Sequence, residues 1–243
     1  MKSIIKIRKS LIKLILVSLS SISFVHAETI EPSSASAKSD FKLKSSQDKP
    51  TKPATTTASI ENISVAKRAE MRFENVIAHI DSTLLKEQKQ LKTDRKLLEH
   101  FVDSNILSNW DSQRTLKHLL GKKIWKTLTD SNLKSLNRVF EDTLQRYVRE
   151  GMGHYDGQRV KLVSVRLNKK KIHGVLTIRL EPIYLPAFKV SFRIASKNDQ
   201  WKLYDVLVEG ISYVKTKKNE YRRMVREKGI DGLLAHLDAK NRL

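Results

Sequence analysis

The sequence predicts an α+β domain: N-terminal helices, a curved antiparallel sheet of about four strands, and a C-terminal helix pair. Three observations predict it. Between residues 65 and 148, apolar side chains recur at spacings of three and four, the period of a helix with one buried face. Between 159 and 210, apolar and polar residues alternate in runs separated by turn-forming residues, as in antiparallel strands. Beyond 216 the helical period returns and is cut at Gly229.

The elements follow in order. Residues 1–27 read as a secretory signal peptide. Lys2, Lys6, Arg8, Lys9 and Lys13 precede an apolar stretch from Leu14 to Val25, and Val25-His26-Ala27 fits a cleavage site. The stretch is shorter than the ~20 residues a helix needs to span a bilayer; the alternative is an uncleaved anchor that starts further upstream. Residues 28–62 are dominated by Ser, Thr, Ala, Lys and Pro, as in SSASAKS and KPTKPATTT. Such a segment cannot bury enough apolar surface to offset its chain entropy, so it reads as a flexible linker. The folded domain then spans 63–243.

Ala69, Phe73, Val76, Ile77, Ile80 and Leu84 place a first helix over 65–85. Leu97, Leu98, Phe101 and Val102 place a second over 94–106, with Asp94 suited to its positive end. A third spans 111–120, with Gly121 as a left-handed cap. Thr129 is an N-cap for the longest helix, whose stripe is Leu133, Leu136, Val139, Phe140, Leu144, Tyr147 and Val148. The piece GMGHYDG lacks the lysine and the strand-then-helix order of a phosphate loop, and reads as a helix stop and turn. RVKLVSVRL, GVLTIRLEPI, AFKVSFRIA and WKLYDVLVEG are the strands. Helices over 216–228 and 231–237 complete the domain.

Composition limits the chemistry. There is no cysteine, which removes disulfides and cysteine metal sites. The formal charge of +21 bears on partners rather than on fold. Loss of five positive charges with the signal peptide leaves +16 on an exported protein, for which nucleic acid is a poor partner. Lys169-Lys170-Lys171 and Lys215 with Lys217-Lys218 are the basic clusters, read as anion-facing or as a solvated hairpin tip and helix face. The histidines lack the spacing of a zinc motif, and no G-x-S-x-G elbow occurs. Asp205 and Glu209 lie on one face of a strand but ~13 Å apart, at ~3.3 Å per residue. Paired glycosidase carboxylates need ~5–9.5 Å. Asp205 is read as a turn or cap partner, and Glu209 as a helix-entry or salt-bridge residue.

Trp201-Lys202-Leu203-Tyr204-Asp205-Val206 and Val208-Glu209-Gly210-Ile211-Ser212 resemble the W-K-x-Y-D-V-x-V-E-G-V-S signature of the MlaC family, also called toluene-tolerance proteins of the Ttg2 type. Lys217-Lys218-Asn219-Glu220-Tyr221 and Lys228-Gly229-Ile230-Asp231-Gly232-Leu233 resemble its C-terminal helices. Phe140-Glu141-Asp142-Thr143-Leu144 and His154-Tyr155-Asp156-Gly157 resemble its long helix and following turn. Lys218 stands where many members have arginine. The resemblance implies a periplasmic phospholipid carrier, acting as a monomer without cofactor, metal or catalysis. Its cargo, a glycerophospholipid, would lie in an apolar cavity between sheet and helices. Its partners would be an inner-membrane ABC transporter complex with an MCE-domain subunit and an outer-membrane lipoprotein–porin complex, which together keep the outer leaflet free of misplaced phospholipid.

A carrier of this kind needs aliphatic walls. The candidates on the sheet are Leu176, Ile178, Leu180, Val190, Phe192, Ile194, Tyr204, Val206 and Val208; on the helices they are Val139, Phe140, Leu144, Tyr147, Val148, Met152, Ile211, Val214 and Tyr221. Each also suits a packed core, and the sequence does not say which stripe faces a cavity. The competing readings are a secreted enzyme working in the same cavity, and a basic exported adaptor with a solid core.

Overall fold

The computed structural model describes residues 63–183, 186–197 and 200–242. The signal peptide and linker readings fall on residues 1–62, outside the described residues. Helix α1 (Val65–Thr93) is capped by the Ser64 hydroxyl and runs eight residues past the expected end at 85. The polar run after Leu85 hides the continuation, yet Leu91 lies seven residues beyond Leu84 on the same buried stripe. Asp94 ends α1 and caps α2 (Arg95–Asn105), accepting the Leu97 N–H at 3.0 Å. A short 3-10 turn, Leu107–Asn109, leads into α3 (Ser112–Trp125), capped by Asp111. Gly121 interrupts α3 with φ 81°, where the sequence places a left-handed cap, and one further turn follows. Helix α4 (Asp130–Met152) opens with a reciprocal cap between Thr129 and Asn132.

Among the described residues, five antiparallel strands form one open, curved sheet in chain order: β1 (Arg159–Leu167), β2 (His173–Glu181), β3 (Phe188–Lys197), β4 (Gln200–Val208) and β5 (Ile211–Ser212). The sequence marks only the first four. Strand β5 is two residues long and exists because Glu209 (φ 50°) and Gly210 (φ 81°) turn the chain back on β4. Helix α5 (Tyr213–Asn241) starts three residues earlier than expected and is broken at Gly229 (φ 68°), as the C-terminal helix pair requires.

Both β1 and β4 carry a bulge. Leu162 and Ser164 pair with the consecutive residues Ile178 and Thr177, leaving Val163 over; Leu203 and Asp205 pair with Ile194 and Arg193, leaving Tyr204 over. A surplus residue bends a strand and increases its twist. It also shifts which residues face inward. On β4 the inward set becomes Trp201, Leu203, Val206 and Val208, and Tyr204 leaves it.

Among the described residues two hydrophobic cores result. The first lies between the sheet and helices α1 and α2, around Phe73, Leu91, Val102, Leu176 and Ile194. The second is the bundle of α3, α4 and α5, around Leu119, Leu136, Phe140, Tyr221 and Leu233. Polar buttresses tie the helices to the strands. Asp81 of α1 receives the Arg159 guanidinium at 2.8–3.2 Å and the Val160 N–H at 2.7 Å. Asp205, fully buried, accepts the Ser212 hydroxyl and the Val214 N–H, with Arg193 at 3.6 Å. Glu220 joins the two halves of α5, with Lys217 at 2.8 Å on one side of Gly229 and Lys240 at 3.6 Å and His236 at 3.7 Å on the other. Lys217 is buried in this group, so the basic cluster 215–218 is not one exposed face.

Candidate functional site

One face of the sheet is apolar from edge to edge. The register puts Val160, Leu162, Val165 and Leu167 of β1 beside Leu180, Ile178, Leu176 and Gly174 of β2. These lie beside Phe188, Val190, Phe192 and Ile194 of β3; across the next ladder Val190, Phe192, Ile194 and Ser196 lie beside Val208, Val206, Leu203 and Trp201 of β4. Apart from Gly174 and Ser196, no position on this face departs from hydrocarbon or aromatic character. The other face carries Arg159, Lys161, Arg166, Arg179, Lys189, Arg193 and Lys202.

The apolar face is unevenly covered. Val160, Leu176, Ile178, Val190, Ile194, Trp201 and Val208 are buried under helices. Leu162, Val165, Leu167, Leu180, Phe188, Phe192, Leu203 and Val206 are only half-buried. Phe192, Leu203 and Val206 touch both cores, so they sit at the seam where the sheet-side core meets the helical bundle. Trp110 closes on Phe192 edge-to-face, with centroids 6.4 Å apart. Its indole N–H donates to Thr115, and the Thr115 hydroxyl donates to the Tyr204 carbonyl of β4. The large apolar side chains at this seam are packed against both cores yet stay partly accessible.

The structure sorts the candidate wall residues into groups. Leu176, Ile178, Val190, Phe192, Ile194, Val206 and Val208 share the apolar face, as does Leu180. Val148 and Met152, near the end of α4, join the sheet-side core. Val139, Phe140, Leu144, Tyr147, Val214 and Tyr221 belong to the helical core. Ile211 is half exposed on the short strand β5. Tyr204 stacks on His118 at 5.3 Å with the Arg114 guanidinium over its ring, because the bulge releases it from the inward set. Sequence reasoning missed all four inward residues of β1, together with Phe188, Leu203 and Trp201. The signal was present: in β4, Trp201 and Leu203 are out of phase with Val206 and Val208 unless one residue between them is surplus.

A tyrosine group fills the floor of the helical core. Tyr213 and Tyr221 share a hydroxyl contact of 3.4 Å, and Tyr147 meets the Tyr213 ring edge-on. Burial pushes all three phenols above their ordinary value, Tyr213 and Tyr221 most. They are neutral over the whole physiological range and act as amphipathic packing. The carboxylates Asp205 and Glu209 form no joint site, since Asp205 braces the β4–β5–α5 connection and Glu209 sits in the tight turn.

Among the described residues, two of the clefts have volumes above 500 Å³, and neither is lined by the candidate wall residues. One, of about 750 Å³, lies among Trp110, Arg114, Asn137, Glu141, Lys197 and Lys202, with mixed charge. The other, of about 540 Å³, lies among Arg114, Lys117, Lys122, Trp125, Lys126 and Arg222, with His118 and His173. The expected cavity between sheet and helices is not among them. No described helix is long and apolar enough to cross a membrane.

Comparison with known proteins bears on this arrangement. The family model for MlaC protein matches residues 74–239. The intermembrane phospholipid transport system binding protein MlaC of Haemophilus influenzae is 20% identical over 161 residues, which span 62% of this chain and 71% of that protein. A solved phospholipid-binding protein of Ralstonia solanacearum, in complex with a phospholipid, shares the fold with a TM-score of 0.61. The match is 19% identical and covers 74% of this chain and 98% of that one.

Proposed function

The chain belongs to the MlaC family, and from that membership we propose that it is a periplasmic phospholipid carrier, exported by its N-terminal signal peptide. It takes a glycerophospholipid by the acyl chains along the apolar face of the sheet. It exchanges that lipid with an inner-membrane ABC transporter complex bearing an MCE-domain subunit and with an outer-membrane lipoprotein–porin complex, so maintaining the asymmetry of the outer membrane. It is a carrier, with no chemical step.

The observation that carries this reading is the row Phe192, Leu203 and Val206, half-buried at the seam between two cores. Acyl chains need an apolar, shape-tolerant wall, and these residues continue a sheet face that is apolar except at Gly174 and Ser196. The energetics permit reversible carriage. A diacyl lipid has roughly 30 methylenes, and exposing them to water costs on the order of 25 kcal/mol at ~0.8 kcal/mol each. That exceeds the ceiling of non-covalent affinity, about 20 kcal/mol. The lipid leaves one membrane and enters another, however, so its tails are dry at both ends of the trip. A wall about as apolar as a bilayer makes each transfer nearly neutral while sparing the lipid the aqueous route.

Native mass spectrometry of the purified protein, before and after delipidation, tests the proposal. A two-tailed phospholipid in about one-to-one ratio is the expected result, as for a pocket that buries most of its ligand. A protein that purifies empty and takes up no phospholipid from vesicles overturns it.

A further inference from the structure

The smaller cleft, about 540 Å³, is lined by five side chains of fixed positive charge: Arg114, Lys117, Lys122, Lys126 and Arg222. No carboxylate lines it among the described residues. Lys117, Lys122 and Lys126 are exposed, and their ammonium groups have no hydrogen-bonding or ionic partner among the described residues. Lys122 opens the single turn that follows Gly121 and Lys126 caps it, so two like charges flank one turn. A protein that holds self-repelling charges around a concave space gains from an anion placed there.

The cleft is also a constructed feature. Arg222 of α5 donates to the His118 and Leu119 carbonyls, which the break at Gly121 leaves open. A Cβ at Gly121 would stand 2.9 Å from that guanidinium, so the glycine permits the close approach as well as the left-handed backbone. His173 reaches the cleft from β2, on the sheet face opposite Gly174, and its Nδ1 is buried without a partner. Trp125 supplies an aromatic wall. The combination of a fixed guanidinium, exposed ammonium groups and an aromatic side suits an oxyanion attached to a small organic body. The volume, within the ~300–1,000 Å³ range of ligand pockets, exceeds what a bare ion needs.

We propose that this cleft binds a phosphate-bearing group, either a soluble phosphate ester or the phosphodiester headgroup of an anionic lipid at a bilayer surface. It is a site separate from the apolar sheet face, and it does not rest on the carrier reading.

Two binding measurements on the purified protein test it. Calorimetry with glycerol 3-phosphate and pyrophosphate reads the soluble source. Co-sedimentation with phosphatidylcholine vesicles, with and without phosphatidylglycerol, reads the membrane source. The cleft variant K117Q/K122Q is compared with K89Q/K92Q, which removes two exposed charges from α1. All four lysines are exposed, and thermal unfolding checks that both variants fold; K126Q alone replaces the cleft double variant if that one does not. Saturable binding of either probe that weakens about tenfold or more in the cleft variant, and less than about twofold in the α1 variant, supports the site and names its source. Absence of binding to both probes, or equal weakening in the two variants, overturns it. Phospholipid retained by the purified protein is unchanged in the cleft variant, so failure here and failure of the carrier reading are separate results.

Discussion

Asp205 accepts the Ser212 hydroxyl at 2.6 Å, and the same Ser212 oxygen accepts the Lys215 N–H at 3.0 Å. One buried carboxylate therefore fixes the residue that caps α5. Because Asp205 also accepts the Val214 N–H at 3.1 Å, strand β4, the tight turn and the helix start form one hydrogen-bonded unit. Replacing Asp205 by Ala strands a buried hydroxyl, a buried N–H and the Arg193 charge. The expected cost is about 3 kcal/mol, read as a lowered urea midpoint.

The Asp81 buttress gives a pH-dependent prediction. Burial alone would raise its carboxyl, but the Arg159 hydrogen bonds, the Val160 N–H and the neighbouring charges outweigh that and hold it below the ordinary value of 3.8. A carboxyl depressed in the folded state adds stability that is complete above its unfolded value. That stability is lost as the pH falls through the folded value. D81N is therefore expected to lower the urea midpoint at pH ~6 and to approach the unmodified protein at strongly acid pH. A midpoint difference that persists undiminished in acid contradicts the assignment.

Gly121 yields a third prediction. Its φ of 81° and the approach of Arg222 both oppose a side chain. G121A is expected to cost about 1–2 kcal/mol, measurable by thermal or urea unfolding. In the G121A/R222M background the steric part of that cost is relieved and the backbone part persists.

The seam residues are the test of the apolar wall. V206E or F192E is expected to reduce co-purifying phospholipid severalfold, since an unpaired charge is expelled from hydrocarbon. Circular dichroism checks that the fold survives. S191E, on the opposite face of β3, keeps its lipid. Lipid occupancy that follows S191E as closely as V206E removes these residues from the binding wall.

Much of the architecture was legible because local signals agreed. Thr129 announced α4, Gly229 announced the split in α5, and strict alternation announced β2 and β3. Three things were not legible. The polar run after Leu85 concealed the last turns of α1, since a solvated helical face carries no periodic apolar signal there. Strand β5 is too short to show a pattern and depends on a turn with two left-handed residues, one of them Glu209. The inward set of β4 was misread at Tyr204 because alternation counts residues, and a bulge spends one without advancing the register. Within the site, the apolar stripes were visible but their partition between two cores was not. That partition depends on which helix covers which strand.

The surplus residues Val163 and Tyr204 sit one on each side of the inner strands β2 and β3. Delete either and the remaining strand alternates perfectly, with every inward side chain still inward. Composition and polarity of the apolar face would be untouched; only the curvature of the sheet would change. The chain thus sets the chemistry of this face and the bend of the sheet by separate means, and single-codon losses at these two positions would flatten the sheet without altering what its surface is made of.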